Sequence, residues 1–149
     1  MKFRALVKLI EILLRMPDHG DEPRADMYLP DRLLALGVAL AAVAVGLAVA
    51  FAVTLNVAFV IFAVVSAVLS AAAVLCWKNQ TIVILDGDTF EYTTFLGKKI
   101  VYRFSEIESL RRNSDSFTLY VGGGKVHIES MAIMSDRLTD KINEAIARR

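Results

Sequence analysis

Residues 33–77 contain no Asp, Glu, Lys, Arg or His, and no other property of the chain narrows its possible folds as far. As one helix these 45 residues would measure roughly 67 Å at about 1.5 Å per residue, about twice the hydrocarbon thickness of a bilayer. That length excludes one span and suits two spans joined by a tight turn. Thr54 and Asn56 are the polar residues near the midpoint, so the turn is expected there, with spans over about 33–53 and 57–77. Each span holds eleven residues of the Leu, Ile, Val and Phe type. At roughly −0.3 to −0.6 kcal/mol apiece near a span's centre, each span favours insertion by a few kcal/mol. A core helix of a soluble protein rarely runs past about 14 unbroken apolar residues.

Charge sets the expected orientation. Arg32 and Lys78 flank the hairpin, five further basic residues precede it, and the connecting turn carries none. The positive-inside rule then places both termini in the cytoplasm of a multi-pass protein of the plasma membrane. Within the spans, small residues recur every four positions: Ala42, Gly46 and Ala50, then Ala63, Ala67 and Ala71. Such stripes let helix backbones approach closely, with Ser66 and Ser70 available for hydrogen bonds. The same chemistry serves packing of the hairpin on itself, expected first, or a contact through Gly46 and Ala67 with another copy or another membrane protein. Neither span holds a charged residue or a histidine, so an ion or proton pathway has no obvious carrier.

Residues 1–16 have the pattern of an amphipathic helix, with Arg4, Lys8, Glu11 and Arg15 on one side and Phe3, Leu6, Val7, Ile10, Leu13 and Leu14 on the other. Glu11 and Arg15 break the apolar run that a signal peptide needs, and no small-residue cleavage site follows. Either a helix lying in the membrane interface, with Arg4, Lys8 and Arg15 at lipid headgroups, or a helix packed against the soluble domain or a partner subunit fits. Pro17 ends it, and residues 17–32 read as a polar linker.

The hydrophobic period becomes alternating after Gln80. Strands are expected over 81–85, 90–94 and 100–104, around Ile107 and Leu110, over 117–121 and 126–128, with a brief seventh near 132–134. Asp86-Gly87-Asp88, Leu96-Gly97-Lys98-Lys99 and Gly122-Gly123-Gly124 are the turns between them. The helical period then returns: Ser135 is a good N-cap, Asp136 suits the first turn, and Leu138, Ile142, Ala145 and Ile146 form one apolar stripe. An antiparallel meander closed by one amphipathic C-terminal helix makes residues 78–149 a small domain and the chain α+β. This order of elements resembles the pleckstrin-homology-like (PH-like) superfold. The whole chain resembles bacterial proteins in which a transmembrane hairpin precedes such a domain. The stretches that carry the resemblance are Trp77-Lys78-Asn79-Gln80, Phe95-Leu96-Gly97-Lys98-Lys99, Tyr102-Arg103-Phe104-Ser105-Glu106-Ile107 and Gly124-Lys125-Val126-His127-Ile128. It implies a bent antiparallel sheet or barrel plugged at one end by the helix. The basic first hairpin loop of phosphoinositide-binding PH domains is replaced here by a tight acidic turn, so that activity is not implied.

Little else in the chain carries chemistry. Gly122-Gly123-Gly124-Lys125 lacks both the earlier Gly and the following Ser or Thr of a Walker A loop, so a hairpin turn is expected. His19 and His127 have no carboxylate or Cys at ligand spacing, and no metal or other cofactor is indicated. The one cysteine, Cys76, lies beside Trp77 at the span boundary, as an inert small hydrophobe or an acylation site. Residues 1–32 carry six basic and six acidic residues, and residues 78–149 carry eleven and ten. That balance argues against nucleic acid as a partner. Lys98-Lys99 and Arg111-Arg112 remain as basic pairs, either for anionic lipid or as ordinary charges that keep strand edges soluble. With a nearly neutral domain, surface affinity for lipid is expected from Arg4, Lys8 and Arg15 instead. The expected function is a non-enzymatic, membrane-tethered adaptor that displays its domain to the cytoplasm and binds a protein partner. The alternative is a structural or assembly subunit that associates, with itself or a larger complex, through the hairpin.

Overall fold

The computed structural model describes residues 25–148. The amphipathic segment with Arg4, Lys8 and Arg15 lies outside them. The chain is α+β and forms two compact units.

The first unit holds two helices, α1 (Asp31–Thr54) and α2 (Val57–Asn79), each long and apolar enough to cross a membrane. The turn between them falls at Leu55 and Asn56. Thr54 Oγ1 donates to the Ala50 carbonyl at 2.8 Å, closing α1, and Asn56 Oδ1 accepts from the Ala58 amide at 3.0 Å, capping α2. Leu55 takes φ of 55°, a left-handed conformation that costs a residue with a Cβ roughly 1–2 kcal/mol.

The second unit is built from eight strands and a helix. Before the helical pair comes β1 (Met27–Tyr28); after it come β2 (Thr81–Ile84), β3 (Thr89–Thr93), β4 (Lys99–Arg103), a 3-10 turn (Phe104–Glu106), β5 (Ile107–Arg112), β6 (Ser116–Val121), β7 (Gly124–Glu129), β8 (Ile133–Met134) and α3 (Asp136–Ala147). Two antiparallel sheets result, in the orders β4-β3-β2-β1-β8 and β5-β6-β7. Alternation sets which side chains turn inward. Ile82, Ile84, Phe90, Tyr92, Leu119, Val121, Val126 and Ile128 meet in one core with Leu138 and Ile142 of α3. Ser135 caps α3, its hydroxyl accepting from the Leu138 amide at 3.2 Å. The β6–β7 turn places Gly122 and Gly123 at φ of 52° and 72°, the two positive values that a tight two-residue hairpin requires.

Two departures from the sequence reading matter. The stretch expected to be linker over 17–32 ends in a strand. Met27 pairs with Ile82 of β2 and with Met134 of β8, and residues 25–30 belong to the second unit. The last strand accordingly pairs with β1 rather than extending the meander. Asp26 fastens this junction: its carboxylate accepts from the Ile84 amide at 2.8 Å and the Ser135 hydroxyl at 3.0 Å, and its carbonyl from the Ser135 amide at 2.7 Å. The β unit is thus one folded body whose chain is interrupted by the whole helical pair.

Candidate functional site

Of the residues expected at the contact of α1 and α2, Ala63 and the hydrogen-bonding Ser70 are buried, and the rest of the contact uses other positions. Gly37, Ala44, Ala63, Ser70 and Ala73 are the buried positions. The Ser70 hydroxyl donates to the Gly37 carbonyl at 2.6 Å, and a Cβ on Gly37 would meet Val74 at 2.8 Å. Gly46 and Ala67 are exposed, and a Cβ on Gly46 would meet nothing within 4 Å. The expectation that their stripes pack the hairpin on itself is therefore corrected, apart from Ala63: four-residue spacing marks several helix faces at once, and the contact selected one seven residues in period. At the other end of the pair, Trp77 Nε1 donates to Asp31 Oδ1 at 3.0 Å.

The basic pairs of the β unit are not brought together. Lys98 lies in the β3–β4 turn and Lys99 opens β4, where its ammonium is 2.9 Å from Glu91. Arg111 and Arg112 end β5 in the other sheet, with Arg112 5.4 Å from the centre of the Phe117 ring. Lys125 stands 5.5 Å from the Tyr120 ring near the opposite end of β6. His127 is on the outward face of β7, its Nε2 3.3 Å from Glu129. Among the described residues, no cluster of three His, Cys, Asp or Glu side chains is disposed to hold a metal ion.

A cleft of about 280 Å³ opens between the β2–β3 turn, the 3-10 turn and the end of α3, lined in part by Asp88, Ser105, Lys141, Glu144 and Arg148. Its polar groups are largely committed to one another. Asp88 accepts from the Ser105 hydroxyl at 2.8 Å and the Ser105 amide at 3.2 Å, and Glu144 lies 3.5 Å from Arg148. Beside the cleft, Asp86 accepts from the Asp88 and Thr89 amides at 3.0 and 2.8 Å. These hydrogen bonds, chiefly to the Asp88 backbone and then Thr89, hold its carboxyl below the usual carboxylate range. The arrangement stiffens a turn; it does not set a nucleophile against a base.

A different feature has the geometry for recognition, and no sequence motif signalled it. β4 is an edge strand, bonded only to β3. The Phe104 amide donates to the Asp88 carbonyl at 2.7 Å and the Thr94 amide to the Lys98 carbonyl at 2.9 Å. That parity turns the N–H and C=O groups of Ile100 and Tyr102 toward β3 and those of Lys99, Val101 and Arg103 away from it. No backbone group among the described residues pairs with these three on the outer side. Val101 is exposed between the two cations. An edge of this kind can accept one more strand, and Lys99 and Arg103 are the type of charge that discourages indiscriminate pairing.

The chain belongs to DUF6560, a family of unknown function whose model matches residues 32–147, a range that begins after β1. No curated protein and no solved structure matches the chain.

Proposed function

We propose that this DUF6560 member is a membrane-tethered, non-enzymatic binding module. Its apolar hairpin crosses the bacterial inner membrane out and back, and it presents a PH-like β domain to the cytoplasm. The observation that carries this reading is the pairing of β1 with β2 and β8 across the inserted helices. An odd number of crossings would put Met27 and Ile82 on opposite sides of the bilayer, so that pairing supports two spans whose outer ends share one side. Flanking Arg32 and Lys78 favour the cytoplasm as that side. A PH-like identity draws support from two antiparallel meanders, β2-β3-β4 and β5-β6-β7, and from α3, whose Leu138 and Ile142 reach the core. The β4 edge is the surface that suits a protein partner, bound as an added strand.

A second reading has its own observation. Gly46 and Ala67 face away from the contact between α1 and α2, which suits a subunit that docks through its hairpin on another copy or a larger complex. Co-purification of the tagged full chain from native membrane separates the two. Val101→Pro deletes an N–H that the sheet does not use. The adaptor reading expects this change to abolish recovery of the partner, while Gly46→Leu with Ala67→Leu leaves it intact. The reverse pattern favours the subunit.

A further inference from the structure

The register between β2 and β3 determines which end of the sheet lies where the chain leaves α2. α2 ends at Asn79 and β2 begins at Thr81, whose partner across the ladder is Thr93, the last residue of β3. Residues 94–98, the β3–β4 turn, are therefore at the helix-exit end. Asn79 ties the turn there, its side-chain amide donating to the Phe95 carbonyl at 2.8 Å. The strand that precedes α1 marks the same end. Tyr28 pairs with Ile133, the first residue of β8, so the β7–β8 connection also arrives there.

These two loops carry exposed apolar side chains: Phe95 is 46%, Leu96 72% and Met131 53% accessible. Beside them Lys98 makes no ion pair among the described residues, and the Lys99 side chain stays 66% exposed despite Glu91. The opposite end of β3, about 14 Å away at ~3.4 Å per residue, carries Asp86 and Asp88 in the turn after the exposed Leu85, with Arg103 across the ladder from Thr89 and Lys141 and Arg148 on the cleft beside them. The end of the sheet at which the chain arrives from α2 thus combines exposed apolar side chains with two lysines, while the far end mixes both signs of charge.

We infer that the Phe95–Lys99 turn and Met131 form a lipid-contact surface. Phe95, Leu96 and Met131 sit at the boundary between headgroups and acyl chains of an anionic leaflet, and Lys98 and Lys99 lie among the phosphates. The inference rests on the reading that the helices span the membrane. A span that ends at Asn79 holds that residue at the boundary, and with it the turn hydrogen-bonded to it. Trp77 and Lys78, the residues just before, are of the types that favour that depth. Anionic lipid attracts lysines placed there. The acidic turn, which weighs against lipid contact when the domain is treated as one charge, lies beyond a Debye length of about 8 Å at physiological salt.

The test uses the full chain, Cys76→Ser, reconstituted into vesicles of phosphatidylcholine with phosphatidylglycerol. Spin labels are placed singly at Val45→Cys, Leu96→Cys and Gly87→Cys, the last in the acidic turn, where a Cβ meets open space. Collision with oxygen against collision with a nickel chelate then reports depth. The expected result is a lipid-type ratio at 45 and 96 and a water-type ratio at 87. Lys98→Glu should shift residue 96 toward the value at 87 and leave 45 unchanged. A lipid-type ratio at 45 with a water-type ratio at 96 overturns the inference and leaves the spanning reading intact. Water-type ratios at both overturn the spanning reading and the inference with it.

Discussion

The two units are packed by opposite rules. In the β unit the large side chains face inward: Met27 and Ile82 are wholly buried, and Phe90 and Leu119 nearly so. In the helical pair the large side chains face outward, Val45, Phe62 and Val68 among them, while Gly37, Ala44, Ala63, Ser70 and Ala73 make the contact. Water drives the first arrangement, because burial of large apolar groups is the main stabilising effect there. The second is what a hydrocarbon solvent selects, since lipid is as apolar as Leu and only close backbone approach and hydrogen bonds distinguish helix from lipid. On the proposal that the helical pair spans a membrane, the two units answer to different solvents, and equivalent substitutions should behave differently in each.

The largest effect is expected from charge inside the β unit. Ile142→Asp puts a carboxylate into the core beside Leu138, a change that costs several kcal/mol in a unit of marginal stability. Chemical denaturation should show most of its folding lost; an unchanged midpoint would mean that α3 is not part of the core. Met27→Ala follows, at about 2–4 kcal/mol for a side chain with no exposure. A loss below about 0.5 kcal/mol would show that β1 contributes little.

The helical pair should show the inverse sensitivity, to added rather than removed volume. Gly37→Leu, which must displace Val74, is expected to destabilise the pair by roughly 1–3 kcal/mol in detergent. Gly46→Leu should leave the same unfolding curve unmoved. Equal effects at the two positions would erase the distinction between the inner and outer helix faces.

The smallest effect concerns Asp86. Its folded pKa lies below the ordinary aspartate value of 3.8, so the stability it contributes is fully present above that value and fades as pH falls through the folded pKa. Asp86→Asn should be slightly less stable than the parent near neutrality, and the gap should close in acid below the folded pKa. A gap that widened toward low pH would contradict the assigned direction.

What the sequence revealed follows from how local each signal is. The helical pair was legible because charge is excluded over the whole of residues 33–77, and its turn because Thr54 and Asn56 interrupt the apolar run. Ser135 announced α3 by a cap that acts within three residues. β1 was not legible: two residues have no period, and the partners that make Met27 a strand, Ile82 and Met134, come after the helices. Asp26 was missed for the same reason, since the Ser135 hydroxyl it accepts from is 109 positions away. The β4 edge depends on which strands are absent beside it, a property of the assembled sheet alone.

Excision of the helical pair shows whether one β domain is interrupted by it. A chain in which a short Gly-Ser linker replaces residues 31–78, joining 25–30 to 79–149, is compared with residues 79–149 alone by urea denaturation. The first is expected to be a soluble protein with one cooperative transition. The second, which lacks Met27 and Asp26, should lose that transition or be less stable by a few kcal/mol. Equal transitions for the two would contradict an interrupted domain, because strand β1 would then be dispensable to the domain it is said to complete.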